Sequence, residues 1–177
     1  MIPAAVGFGG NLGRPDVAFE QALRHLDGNP AIRVLAVSGL YRSAPWGEPD
    51  QPDFLNGVAI VLTRLSPDEL LGVLRQEERR AGRRPDRRWG PRSLDLDLLW
   101  YGDVVRDGPE LTVPHPRLPE RSFVLEPLAE VAPAWRHPAT GASAGEMLDE
   151  LGNRATACEA IPGIVLGGRL EELPCRR

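Results

Sequence analysis

The chain has 177 residues, of which 42% are hydrophobic and 26% charged, with a formal net charge of -4. That is a soluble, globular composition with enough chain for one well-cored domain, and no apolar run approaches the length of a membrane span. The start, MIPAAVGFGGNLG, lacks the basic region and long apolar core of a secretory leader, and the two cysteines have no partner histidines at metal spacing, so a reducing cytoplasm is the expected setting.

In chain order, AAVGFGG (4–10) reads as a short buried strand running into a Gly-Asn-Leu-Gly turn. Pro15 and Asp16 then suit the first turn of a helix through about Leu26, with Val17, Phe19, Leu23 and Leu26 turned inward. IRVLAVSGLYRSA (32–44) is rich in β-formers and predicts one long strand, and FLNGVAIVLT (54–63) predicts another after a Pro/Gly/Asp-rich connection. Ser66, Pro67 and Glu69 form a capping box, starting a helix to about Ala81 that Gly82 ends. An arginine-rich loop follows, then a strand from Leu94 to Tyr101. The order is strand, helix, strand, strand, helix, strand, which predicts an α+β fold: a ferredoxin-like βαββαβ core with an antiparallel sheet and two helices on one face. A hairpin around VVRDGPELTV and short helices near 123–130 and 143–151 complete a single domain over 1–151. The tail, 152–177, is Gly-rich, weakly patterned and of no assignable role.

Charge is distributed unevenly. Eight arginines and three acids lie between Arg75 and Arg92, in a chain that is otherwise strongly acidic. A compact positive segment fits a polyanion of limited size, whereas long nucleic acid favours a broader basic surface. All 21 basic residues are arginine, which genomic base composition accounts for.

The strand at 94–101 has an apolar even side, Leu94, Leu96, Leu98 and Trp100, and an odd side that opens with Asp95 and Asp97 before Leu99. Residues two apart share a face, so two carboxylates stand together and need a compensating cation. Two readings stay open from spacing alone. The pair holds Mg²⁺, which takes one or two carboxylates and completes its shell with phosphate and water. Or it is neutralised by Arg88 or Arg92, or is solvated on an edge strand. The preceding loop carries Arg83, Arg84, Arg87, Arg88 and Arg92, residues suited to holding phosphate bidentately. Trp89, Gly90 and Pro91 interrupt that run, odd choices for a merely solvated loop. His115, Arg117 and Arg121 lie in the Pro-stiffened segment 112–121 and are candidates for further phosphate contacts, while His25 and His137 read as structural. The Gly-Asn-Leu-Gly turn lacks the spacing and lysine of a P-loop and reads as a tight turn. Phe54 and Asn56 share a face, and the Asn56 amide offers a donor and an acceptor to match the edge of a heterocycle.

Together RWGPRSLDLDLL (88–99), VPHPRLPERSFVLEPLAE (113–130), DQPDFLNGV (50–58) and GGNLG (9–13) resemble the 6-hydroxymethyl-7,8-dihydropterin pyrophosphokinase family of folate biosynthesis over about residues 4–150. The resemblance implies that pyrophosphate moves from ATP to the pterin hydroxymethyl group and that AMP leaves. It implies two Mg²⁺ ions on Asp95 and Asp97, and catalytic roles for Arg83 and Arg92 in a mobile loop that Trp89 helps to seal. Glu78, Arg84, Arg88, Trp89, Arg92, Leu98, Thr112, His115 and Arg121 fall at ATP-contact positions. Phe54 and Phe123 would sandwich the pterin, Asn56 would bond its edge, and Ser43, Ala44 and Trp46 would contribute mainly backbone. Partners are then small molecules, with no nucleic acid and no membrane, and the chain is expected to be a monomer.

This sequence departs from the family pattern in four places. Gly10 stands where serine is usual and Phe54 where tyrosine is frequent. The loop between Gly82 and Trp89 is one residue shorter than in some relatives and contains Pro85, so Arg84, Arg87 and Arg88 compete for the second loop-arginine role. The tail has no placed counterpart. Two rival readings use the same residues: another Mg-dependent phosphate-transfer enzyme, and a non-catalytic nucleic-acid-binding module. The second lacks the aromatic sheet-face motif of RNA modules on this fold.

Overall fold

A computed structural model describes residues 1–45, 50–83, 90–152 and 155–165. Among them, four helices and six strands follow one another as β1 (Ile2–Gly10), α1 (Pro15–Asp27), β2 (Ile32–Val37), β3 (Gly39–Ser43), β4 (Phe54–Thr63), α2 (Pro67–Arg80), β5 (Asp95–Tyr101), α3 (Ser122–Val131), α4 (Ala144–Leu151) and β6 (Cys158–Val165). A short 3₁₀ turn, Leu118–Glu120, precedes α3. The sheet runs β5-β1-β4-β3-β6 with β2 also on β4, and every pairing is antiparallel. This is the expected βαββαβ core.

Strand alternation sorts the residues into two cores. Ala4, Val6 and Phe8 of β1, Ala59 and Val61 of β4, and Leu96 and Leu98 of β5 pack with Phe19, Leu23 and Leu26 of α1 and Leu70 and Leu74 of α2. The capping box at the head of α2 forms as predicted: the Ser66 hydroxyl accepts the Glu69 amide, and the Glu69 carboxylate accepts the Ser66 amide. On the other face Ala5, Val58, Ile60 and Leu99 pack under Leu125 and Leu128 of α3 and Met147 of α4. The second helical layer makes the fold three layers deep. An unforeseen second capping box, Ser143 with Glu146, starts α4.

The structure differs from the sequence reading in five places. Val17, expected inward on α1, is exposed: it stands about 200° of helix away from Phe19, and Ala22 takes the inner position beside Leu23 and Leu26. The long strand expected over 32–44 breaks at Ser38, whose hydroxyl accepts the Val58 amide and donates to the Gly39 carbonyl, taking ladder positions that a backbone would otherwise fill. Trp100 leaves the leucine face. A bulge in the β1–β5 pairing takes the register from Val6–Leu98 to Ala5–Trp100, turning the indole to the opposite core, where it stacks on Trp135 at 5.4 Å. The hairpin near residue 108 shrinks to one bridge, Arg106 to Val113. The weakly patterned tail supplies β6, which pairs with β3.

Candidate active site

Two depressions meet at Asp95 and Asp97. Both carboxylates lie on the α3 side of β5, the face that β1 occupies with Gly7 and Gly9 and β4 with Phe54 and Asn56. The first depression, about 100 Å³, lies between this end of the sheet and the start of α3; Ser43, Ala44, Phe54, Asn56, Arg121 and Phe123 line it. Glycines at 7 and 9 leave its floor open, and a Cβ at Gly9 would stand 3.4 Å from Asn56 Oδ1. The second, about 670 Å³ and more open, runs along the outer edge of β5, between α2 and the 108–116 segment. Glu78, Arg83, Leu98, Thr112 and His115 line it, together with Arg75 and Arg79, which lie on the same helical face as Leu71 and Glu78.

In the first depression the polar groups are fixed. Asn56 is buried, and its Nδ2 donates to the Ser43 hydroxyl at 3.0 Å and to the Tyr41 carbonyl at 3.3 Å. With the amide nitrogen so engaged, Oδ1 is the edge that faces Gly9 and the open space. Phe54 enters β4 opposite Ser43, and Phe123 is carried by α3 with Arg121 stacked 5.8 Å above its ring.

Along the second depression, and at its seam with the first, the charges neutralise one another. Arg83 bridges Glu78 and Asp95, its Nη1 lying 2.6 Å from Asp95 Oδ1. Arg92 takes the other Asp95 oxygen at 2.8 Å, and Arg121 reaches Asp97 at 3.3 Å. Glu78 also accepts the Leu96 amide at 2.8 Å, between the two aspartates in sequence. Burial pushes its carboxyl up to about 7, opposed by the Leu96 amide and Arg83 and helped by the Asp95 charge. Asp97 is raised too, first by burial and then by Asp95, against the pull of His115 and Arg121. It keeps 38% of its side-chain surface accessible, so the desolvation is that of a recessed group, not a sealed one. Burial lowers His115, with Asp97 opposing. The His115 Nδ1 accepts the Arg117 amide, which assigns the neutral ring's proton to Nε2, 3.9 Å from Asp97.

The donor set suits a hard divalent ion. Two carboxylates on one strand face, one of them raised first by burial and then by its neighbour's charge, would be relieved by added positive charge. No three acidic, histidine or cysteine side chains converge into a cage among the described residues. Mg²⁺ shared with substrate phosphates needs no such cage.

The structure brings Ser43, Ala44, Phe54, Asn56 and Phe123 together in one depression, and Glu78, Arg83, Leu98, Thr112 and His115 in the other. Arg92 and Arg121, expected at ATP, line the first depression, drawn to the seam by their aspartate partners. Trp46, Arg84, Arg87, Arg88 and Trp89 lie outside the described residues. Asn11, which the sequence presents only as part of a turn, clamps three segments. Its Oδ1 accepts the Arg92 amide at 2.9 Å, and its Nδ2 donates to Gln51 and to the Pro52 carbonyl. The one available signal was an asparagine in a turn directly after a buried strand, a residue equipped to bond backbone in both directions.

The family model described as 7,8-dihydro-6-hydroxymethylpterin-pyrophosphokinase (HPPK) matches residues 5–133. A 2-amino-4-hydroxy-6-hydroxymethyldihydropteridine pyrophosphokinase from Synechocystis sp. is 42% identical over 172 residues, covering 95% of this chain and 85% of the relative. The protein of the same name from Pseudomonas aeruginosa is 47% identical over 133 residues, 75% of this chain and 82% of its own length. Among solved structures, Plasmodium falciparum HPPK-DHPS, wild type with STZ-DHP, superposes with a TM-score of 0.68 at 14% identity, over 86% of this chain and 44% of that one. At that identity the likeness concerns the fold, and this chain spans under half of the Plasmodium chain.

Proposed function

We infer the working of this site from one premise: the chain belongs to the 7,8-dihydro-6-hydroxymethylpterin-pyrophosphokinase family. It is an enzyme of folate synthesis that transfers pyrophosphate from ATP to the hydroxymethyl group of 6-hydroxymethyl-7,8-dihydropterin. The balance of that transfer is an oxygen–phosphorus bond made at the β-phosphorus and the α–β bridging bond broken, with AMP as the leaving group. The substrates are small molecules.

The observation that carries the residue assignment is that two depressions of different chemistry share one pair of carboxylates. The pterin belongs in the first, its ring between Phe54 and Phe123 and its donor edge on Asn56 Oδ1, with Ser43 and Ala44 along the rim; the resemblance adds Trp46, which lies outside the described residues. ATP belongs in the second, where Glu78, Leu98, Thr112 and His115 contact it, and its phosphates run to the seam. Asp95 and Asp97 would hold two Mg²⁺ ions, which when bound supply charge to the phosphates and acidity to the attacking hydroxyl. Arg83, Arg92 and Arg121 then exchange carboxylate for phosphate partners and steady the charge that builds on the transferring group. The family resemblance assigns Arg84, Arg88 and Trp89, which lie outside the described residues, to the ATP side, where exclusion of water would keep it from intercepting the pyrophosphoryl group.

The reading extends to a catalytic unit over residues 1–151, acting as a monomer in the cytoplasm. Among the described residues, no helix is long and apolar enough to cross a membrane. Incubation with Mg-ATP and 6-hydroxymethyl-7,8-dihydropterin, with nucleotides separated, tests the chemistry. AMP should accumulate in step with pterin pyrophosphate; ADP in its place would mean single-phosphoryl transfer and would overturn the reading.

A further inference from the structure

We propose that the segment from Thr156 into β6 is a strap that sets the spacing of the two walls of the pterin depression, with Ser122 as its positioning residue. The proposal rests on reading the first depression as the pterin site.

One wall is the end of β3 with its neighbour β4; the other is the start of α3. Far from the depression they are tied directly. The Tyr41 hydroxyl of β3 donates to Glu130 at the far end of α3 at 2.9 Å, and the Gly39 amide donates to the same carboxylate at 3.0 Å. At the depression the tie runs through the tail. Cys158 of β6 pairs with Ser43, the residue whose hydroxyl holds the Asn56 amide in orientation. Two residues earlier, the Thr156 carbonyl accepts the Ser122 hydroxyl at 2.6 Å. Ser122 is 2% exposed and does not line the depression itself. It sits between Arg121, which neutralises Asp97, and Phe123, the proposed stacking ring.

Ser122 therefore acts on ligand only through its neighbours. A buried hydroxyl is retained where its bond is made, and removing it leaves the Thr156 carbonyl without that donor. The start of α3 would then be free to shift against β3, changing the gap in which the ring is held. The edge strand would keep its ladder to β3 and lose its hold on α3. Burial beside Glu126 raises the Cys158 thiol to about 11, so this part of the strap meets β3 as a neutral packing group.

The test is the full-length Ser122→Ala enzyme, with Ser122→Thr as the conservative restoration. Ser122→Ala should raise the KM for the dihydropterin about fivefold, the loss of one hydrogen bond's worth of positioning, and leave kcat and the KM for ATP within about twofold. Ser122→Thr should return the pterin KM toward wild type. Amide exchange at residues 42–44 should quicken in Ser122→Ala relative to wild type. An unchanged pterin KM, an equal rise for both substrates, or a fall in kcat alone would overturn the strap. Failure of the wild-type enzyme to form pterin pyrophosphate would sink the underlying site reading instead, and is distinguishable because it appears before any substitution.

Discussion

The two depressions flanking Asp95 and Asp97 are organised on opposite principles. On the side proposed for the pterin the polar and aromatic groups are held by partners that a ligand does not have to displace: Asn56 by Ser43 and Tyr41, Phe123 by a helix packed on the sheet. On the side proposed for ATP the charged groups are held by one another, with Arg83 spanning Glu78 and Asp95, while Arg92 closes on the same aspartate from the seam between the two depressions. The first arrangement is preorganised, and binding there loses little to reordering. The second is neutralised in advance, and a polyanion with its metal must rearrange ion pairs to enter. Recognition is thus concentrated in the smaller site and electrostatic adjustment in the larger one.

Replacing the seam should hurt both sides. Asp97→Asn keeps the shape and removes the charge, and turnover is expected to fall by about 10²–10³-fold with AMP and pterin pyrophosphate lost together. A variant that retained full turnover would break the idea of a shared carboxylate pair. Confined effects should follow from substitutions within the pterin side. Asn56→Ala is expected to raise the pterin KM on the order of tenfold while the ATP KM stays put, since only the pterin edge loses its acceptor. Ionic strength sharpens the contrast further. Between 0.05 and 0.5 M salt the KM for ATP should rise by about severalfold and that for the pterin hardly at all, because screening acts on the charged, open side. Equal sensitivity of the two substrates would dissolve the distinction.

The smallest effect concerns Glu78, which burial holds at about 7 against an ordinary value of 4.5. Between those values the folded chain keeps a proton that the unfolded chain has released. Stability from this group is therefore greatest below about 4.5 and is lost as pH rises through 7. The melting temperature of the apoenzyme should drop more between pH 5 and 8 in wild type than in Glu78→Gln. A parallel pair of curves would remove Glu78 as the cause.

Features that depend on neighbours in the chain were legible in the sequence. The Ser66–Glu69 capping box, the pairing of Asp95 with Asp97 and the shared face of Phe54 and Asn56 all follow from local spacing, and each is found in the structure. Features decided by a distant partner were not. Nothing in Leu98-Leu99-Trp100 announces a bulge, because it arises from how β5 fits β1. Ser38 reads as an ordinary strand residue until Val58 presents its amide. β6 carries a proline and a glycine and no apolar–polar alternation to make it stand out, and exists through its ladder to β3. Ser122 has no signal at all before the tail is placed beside it. The split between the two depressions was also out of reach, since it depends on β5 being an edge strand.

The strand order carries a consequence for how the protein is made. β1 is the first strand to be synthesised and lies between β4 and β5. Its partners begin at Phe54 and Asp95, so a growing chain presents β1 with both hydrogen-bonding edges open until β4 is made and one edge open until β5 follows. The cleft comes into being only when β5 docks, late and over a long separation in sequence, a slow kind of closure. A nascent chain stalled before residue 95 would hold Phe54 of β4 and neither Asp95 nor Asp97. Chaperone dependence, if it is found, should concentrate in that interval.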